Sequence, residues 1–232
     1  MRRRTRFIDA TLWLLHAFPV TLTVTTAIIL IGISTGTIFR ANHQSILDTV
    51  GFDLDALKSG RFWTMPAATL IQADPGIKWY AALLVLILGP LEYLAGSLRA
   101  LVTFFLSDWV STILTTLALW ALATMGSATA ERFVHRPDMG SSAASFGAAA
   151  AVAAMLPGWL GPAILGGLFV VLGASFAFQT LDLVIAHFFG AMIGVALGGL
   201  LWRTHIHARQ ASKWRPQPVL GGEDVSSGRP VS

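Results

Sequence analysis

The chain has 232 residues, of which 54% are hydrophobic and only 12% are charged, and its mean hydropathy is +0.66. An ordinary soluble domain carries about 25% charged residues, so a water-soluble fold of this size would leave too much apolar surface uncovered. The sequence has no cysteine, which excludes disulfides, thiolate metal sites and cysteine nucleophiles. We expect no metal, no cofactor and, because the basic residues behind the net charge of +4 gather at the two ends, no nucleic-acid partner.

The apolar segments are long enough to cross a lipid bilayer, whose hydrocarbon core of about 30 Å needs roughly 20 residues of helix. The sequence predicts an all-α fold: a polytopic membrane helical bundle with six transmembrane helices over residues 1–202. The fourth helix is short, and its start is expected to lie below the membrane surface. The six windows are Leu12–Phe39, Ile77–Ala95, Leu98–Thr124, Ser142–Leu156, Leu160–Phe178 and Leu183–Trp202.

The segments outside these windows set the expected topology. Six spans place both basic termini on one side, which the positive-inside rule makes cytoplasmic, and we expect the protein to lie in the plasma membrane. The loop 40–76 carries aromatic residues and is predicted to lie partly in the membrane interface. Residues 203–232 are polar and are predicted to form a disordered cytoplasmic tail. The count of six depends on a break at Ser97–Arg99, because one kinked span there would invert the second half.

One serine and one histidine form the candidate chemistry. Ser142 opens the fourth window, where a serine hydroxyl is commonly no more than a helix cap. His187 lies inside the sixth window, where an ionisable side chain is by default a functional hypothesis. Gly190 and Gly194 share its helical face and permit close backbone approach. We expect Ser142, Phe146, Ala149 and Ala153 to form the opposing face, with Phe146 stacked on the imidazole. Asp182 is off the face of His187 and is not expected to orient it.

Several short motifs in order resemble the rhomboid family of intramembrane serine proteases. The segment Gly140–Gly147 is similar to the family's Gly-x-Ser-Gly-x-x-x-Gly, with Gly140, Ser142 and Gly147 at the matching positions. Ala186–Gly194 is similar to Ala-His-x-x-Gly-x-x-x-Gly. The supporting matches are Gly60-Arg61-Phe62-Trp63, Gln72-Ala73-Asp74-Pro75 and Glu92 with Gly96 and Arg99. The resemblance covers roughly residues 58 to 200.

The resemblance implies a function, and the sequence also departs from the family's motifs at several positions. Ser142 would be the nucleophile and His187 the general base of a dyad that cleaves transmembrane segments of other membrane proteins. The family's second-span His and Asn, which help to hold the oxyanion, have no counterpart in the stretch 76–81. Gln72 replaces a loop histidine, and Ala143 stands where the family has Gly. Gln72 or Tyr80 are candidate replacements for the missing donors.

Two other functions remain open at the level of sequence. A catalytically silent rhomboid-like protein that binds transmembrane helices as clients would explain the missing oxyanion residues. A transporter or channel would suit an intramembrane histidine, but the spans show few acidic groups to relay protons or bind cations. We also expect Glu92 and Arg99 to form a structural ion pair.

Overall fold

The computed structural model describes residues 17–37, 39, 44–72 and 77–213, and it places the side chains of all of these except 77, 78 and 204–213. This part of the chain is helical and contains no β-strand. The N-terminal basic cluster, Ala73-Asp74-Pro75 and the tail beyond residue 213 lie outside the described residues. The helices are α1 (Pro19–Ser34), α2 (Gln44–Val50), α3 (Leu54–Lys58), α4 (Thr64–Leu70), α5 (Ile77–Ala95), α6 (Ser97–Thr124), α7 (Ala128–Val134), α8 (Ser142–Met155), α9 (Leu160–Ser175) and α10 (Leu181–Lys213).

Two glycines with positive φ angles set helix boundaries. α1 ends before Gly36, whose φ of 75° is the left-handed conformation that terminates many helices. The helix therefore stops short of the predicted end at Phe39. Gly96, with φ of 83°, separates α5 from α6. The predicted break is confirmed, one residue earlier than expected, and the alternative of a single kinked helix is wrong.

A buried carboxylate joins α1 to α5. Glu92, near the end of α5, accepts hydrogen bonds from the backbone N–H groups of Val20 and Thr21 at 2.9 and 2.8 Å and from Thr21 Oγ1 at 2.7 Å. The carboxylate satisfies free amides at the start of α1 and complements the helix dipole there. The two helices are therefore antiparallel. The expected ion pair between Glu92 and Arg99 is wrong. Arg99 is exposed, whereas Glu92 is buried and hydrogen-bonded to the start of α1.

α8 makes the most extensive contacts with other helices in the described part of the chain, and it packs against α5, α6, α9 and α10. Alanine and glycine dominate α8, and its core-facing positions are almost completely buried. Small side chains let the neighbouring backbones approach closely, which is the packing that membrane helices favour. α8 therefore lies in the middle of the described helices.

The polarity of the two faces of α6 is the reverse of that in a helix of a soluble protein. Its buried face carries mostly polar residues, namely Thr103, Ser107, Asp108, Ser111, Thr115 and Thr116. Its exposed face carries Leu98, Val102, Leu106, Val110, Leu117, Trp120 and Leu122. Of the described helices, Ser97–Thr124 and Leu181–Arg203 are long and apolar enough to cross a membrane. Four further apolar helices are shorter over the residues whose side chains are described, namely Pro19–Ser34, Trp79–Ala95, Ser142–Met155 and Leu160–Ser175, so the helix lengths alone do not establish six spans.

The loop between α1 and α5 is partly helical and is attached to the segment before α8. Asp53 caps α3 by accepting from the backbone N–H of Ala56 at 2.7 Å. Phe52 and Asp138 exchange two backbone hydrogen bonds of 3.0 Å. The N–H of Gly140 donates to the carbonyl oxygen of Ala68 in α4. These contacts fix the loop beside the start of α8.

The last helix is longer than predicted. α10 begins at Leu181 and continues to Lys213, beyond the predicted end at Trp202 and into the segment 203–232 that was expected to be disordered. Residues such as Ala208, Gln210, Ala211 and Lys213 are good helix formers, so the helix extends once α10 has been nucleated by its packing.

Candidate active site

Ser142 is the first residue of α8. The chain enters the helix through Gly140, whose φ of 126° is accessible to glycine but rarely to other residues. Ser142 is partly exposed, whereas Ser141 before it is fully buried. Its hydroxyl does not cap the helix; it points to a histidine on another helix. The common role of a helix-start serine is therefore not the one that Ser142 performs here.

His187 on α10 lies within hydrogen-bonding distance of Ser142. Nε2 of the imidazole and Oγ of the serine are 2.8 Å apart, although the residues are 45 positions apart in sequence. His187 is only 3% exposed. With the proton on Nδ1, Nε2 accepts the serine hydrogen, which is the arrangement that general-base catalysis requires. The pair that the sequence motifs single out is thus brought together.

Phe146 holds the plane of the imidazole. Its ring stacks on His187 with the centroids 4.5 Å apart and an angle of 23° between the planes. Nδ1 of His187 has no hydrogen-bond partner among the described residues, and neither does Oδ1 of Asp182. Asp182 therefore does not orient the imidazole, as expected. Instead, Oδ2 of Asp182 lies 3.9 Å from Nη1 of Arg136. Ser142 and His187 thus form a hydrogen-bonded pair with an aromatic ring stacked on the imidazole.

Close packing of α8 on α10 creates the serine–histidine contact. A methyl group added at Gly190 or Gly194 would collide with the backbone of Ala143 or Gly147, respectively. Because both pairs advance in the same direction along the chain, α8 and α10 are parallel. Gly147 in turn lies against Ser107 of α6. The glycines on α10 pack as expected, but the expected partner face is wrong. Ala143 and Gly147 meet them, and Ser142 and Phe146 flank that contact.

A second group of hydroxyls surrounds Ser141. Tyr80 Oη donates to the carbonyl oxygen of Ser141 at 2.7 Å and lies 2.8 Å from Ser141 Oγ and 2.7 Å from Ser145 Oγ. Gln72 Nε2 donates to Ser141 Oγ at 2.9 Å. The two candidate oxyanion donors thus bind Ser141, the residue before Ser142. The sequence suggested Gln72 and Tyr80, but not this arrangement.

Sequence reasoning missed a buried carboxylate on α6. Asp108 is 4% exposed and accepts from Thr69 Oγ1 at 2.6 Å and from the backbone N–H of Ala144 at 3.3 Å. Trp109 Nε1 donates to the same threonine at 3.1 Å. Asp108 therefore ties α4 and α6 to the first turn of α8. The signal was present in the sequence, since Asp108 is an acidic residue inside a predicted span.

A further carboxyl group lies just before α8. Burial raises the pKa of the Asp138 carboxyl from 3.8 to about 6, and the neighbouring carboxylate of Asp182 adds to the effect. Within the described ranges, no cluster of three or more His, Asp or Glu side chains is arranged to hold a metal ion.

Comparison with protein-family models, with curated proteins and with solved structures found no match to this chain.

Proposed function

We propose that the protein is an integral membrane serine protease of rhomboid type, which cleaves transmembrane segments with the dyad Ser142–His187. The observation that carries the proposal is the 2.8 Å contact between Ser142 Oγ and His187 Nε2 at the start of a helix inside an apolar assembly. The hydroxyl and the imidazole come from distant parts of the chain, and the imidazole has a stacking partner. A serine that only caps a helix needs neither a histidine partner nor an aromatic ring stacked on that histidine.

The distribution of side chains supports the membrane part of the proposal. The polar face of α6 is buried and its apolar face is exposed. In water this surface would be unfavourable, whereas in lipid it is the favourable arrangement. We propose that α1, α5, α6, α8, α9 and α10 all span or enter the bilayer, with the termini in the cytoplasm. Ser142 then lies below the outer surface, at the start of the short α8.

The reaction follows from the groups present. Ser142 Oγ attacks the carbonyl carbon of the scissile peptide bond while its proton passes to His187 Nε2. The tetrahedral intermediate collapses, the C–N bond breaks, and the leaving amine takes the proton from the imidazole. Water then attacks the resulting ester with His187 as base, which releases the acid and restores Ser142. The backbone N–H of Ser142 has no acceptor among the described residues and is available to the oxyanion.

An apolar groove lies between α5, α8 and α9, along the part of α8 that is farther from Ser142. Its volume is about 530 Å³, and its lining, which includes Leu86, Leu94, Val152 and Ile164, suits an apolar helix. The same groove favours a second candidate function, the binding of client helices without cleavage. That alternative is supported by the engagement of Tyr80 with Ser141, because a side chain so occupied is not free to donate directly to an oxyanion.

Cleavage in a bilayer distinguishes the two functions. The parent protein and Ser142→Ala would be reconstituted in liposomes with a panel of fusion proteins, each with one transmembrane segment carrying glycine or proline near its outer end. We expect the parent to cut a subset within the segment, as seen by mass spectrometry of the fragments, and Ser142→Ala to cut none. Fusions that co-purify with both proteins and remain intact would support client binding and contradict the protease.

A further inference from the structure

The peptide group between Ser141 and Ser142 has one end in the reaction site and the other in a buried hydroxyl network. Its N–H belongs to Ser142 and is the available oxyanion donor. Its carbonyl oxygen belongs to Ser141, which is fully buried. In a trans peptide the N–H and the C=O point in opposite directions. A group that binds the Ser141 carbonyl therefore fixes the direction of the Ser142 N–H.

Tyr80 binds this carbonyl with good geometry. The phenol donates to it at 2.7 Å, and the backbone N–H of Ser145 donates to the same oxygen at 3.0 Å. The phenol hydrogen is thereby used. Ser145 Oγ lies 2.7 Å from Tyr80 Oη and 3.2 Å from the carbonyl oxygen of Ser141, so its single hydrogen bonds either the phenol oxygen or the same carbonyl. Gln72 Nε2 donates a hydrogen bond to Ser141 Oγ. The network leaves Tyr80 little freedom to turn elsewhere.

Hydrogen bonds in series polarise one another, most of all where water is excluded. A strong donor on the carbonyl oxygen draws electron density from the amide nitrogen and makes the N–H at the other end a better donor. Because Tyr80 acts on the peptide that Ser142 shares, the effect reaches the developing oxyanion without a direct contact. The chain lacks the two oxyanion side chains of the rhomboid pattern, so this amide carries more of the stabilisation.

We infer that Tyr80 is a positioning residue that orients and polarises the Ser142 amide as the oxyanion donor, acting through the Ser141 carbonyl. The inference rests on the proposed function, since it assigns the amide a role in that reaction. It predicts that removing the phenol hydroxyl slows the attack of Ser142 but leaves the basicity of His187 unchanged.

The test uses the two tyrosines of the chain, Tyr80 and Tyr93. Tyr93 is 78% exposed, so Tyr93→Phe is the matched control. The full-length protein in detergent would be labelled with a fluorophosphonate, which phosphonylates an activated serine with loss of fluoride, and the second-order rate would be measured against pH. We expect Tyr80→Phe to lower the plateau rate about tenfold, less than the 10² to 10³ for loss of a direct donor. The acid limb of the profile, which reports the imidazole, stays in place.

A graded variant separates positioning from simple support of the fold. In the Tyr93→Phe background, biosynthetic replacement of tyrosine by 3-fluorotyrosine changes only Tyr80 and makes its phenol a stronger donor. The labelling rate should rise above that of the unfluorinated protein. Equal labelling rates for Tyr80→Phe and Tyr93→Phe, or a labelling rate that fluorination does not change, would overturn the inference. If the parent is still labelled in that case, the proposed Ser142–His187 dyad is not contradicted. An unlabelled, folded parent would instead refute the proposed function itself.

Discussion

The sharpest consequence of the structure concerns Gly194. A methyl group at this position would overlap the carbonyl oxygen of Gly147 and lie 2.7 Å from its Cα, whereas ordinary contacts of a Cβ atom begin at 3.4 Å. Backbone cannot move aside as a flexible side chain does, so Gly194→Ala must push α10 away from α8 by about 1 Å, and overpacking of this kind costs about 1–3 kcal/mol. His187 lies two turns earlier on the same rigid helix and moves with it.

The separation acts directly on the dyad. A displacement of about 1 Å takes the present 2.8 Å between Ser142 Oγ and His187 Nε2 beyond the range of a hydrogen bond. Misplacement on this scale costs about 10²-fold in rate. We therefore expect Gly194→Ala to be phosphonylated about a hundredfold more slowly than the parent, with a lower melting temperature.

The control lies on the same helix. A methyl group at Gly199 meets no atom within 4 Å, so Gly199→Ala should label at the parent rate and melt at the same temperature or slightly higher, because alanine favours the helix. Labelling of Gly194→Ala at the parent rate would show that close packing of α8 on α10 does not hold Ser142 and His187 together.

Three further predictions test other parts of the structure. Glu92→Ala leaves buried amides of α1 without an acceptor and should lower the unfolding free energy by about 2–4 kcal/mol, seen as a lower melting temperature, whereas Glu131→Ala on the surface should not; equal melting would contradict the cap. Burial raises the pKa of Asp138 to about 6, so its ionisation opposes folding increasingly between about pH 4 and 6; Asp138→Asn should therefore raise the melting temperature at pH 8 but not at pH 4, and a gain confined to acid would reverse the sign. Phe146→Ala frees the imidazole that it stacks on and should slow phosphonylation about tenfold, unlike Phe188→Ala; no difference between the two would remove Phe146 from the site.

The helical elements could be predicted because hydrophobicity and glycine placement determine them locally. The window Ile77–Ala95 coincides with α5, and those for α6, α8 and α9 differ from the helices by a few residues at most. The end of α1 could not be placed, since it depends on Gly36 adopting a positive φ angle. The extension of α10 depends on helix propensity in a polar segment, where apolar patterning gives no signal.

The contact between Ser142 and His187 was predictable from the sequence, but most of the hydrogen bonds around it were not. Ser142 and His187 could be paired by motif and helical face, and their contact needed only that two small-residue surfaces meet. The sequence does not show which small residues of α8 contact α10. Turning α8 about its axis by one residue position places Gly147 in the contact instead of Phe146. The partners of Glu92 and Tyr80 could not be predicted either. Their hydrogen bonds join elements more than 60 residues apart, and no local pattern records such pairs.

The location of a phosphonate adduct tests most directly whether His187 activates Ser142. The purified protein in detergent would be treated with a fluorophosphonate and digested, and the modified peptide identified by mass spectrometry, beside Ser142→Ala and His187→Ala variants that melt within a few degrees of the parent. We expect one adduct, on Ser142, that is lost in both variants. A folded parent without an adduct, or labelling that survives in His187→Ala at the parent rate, would contradict an activated Ser142–His187 dyad.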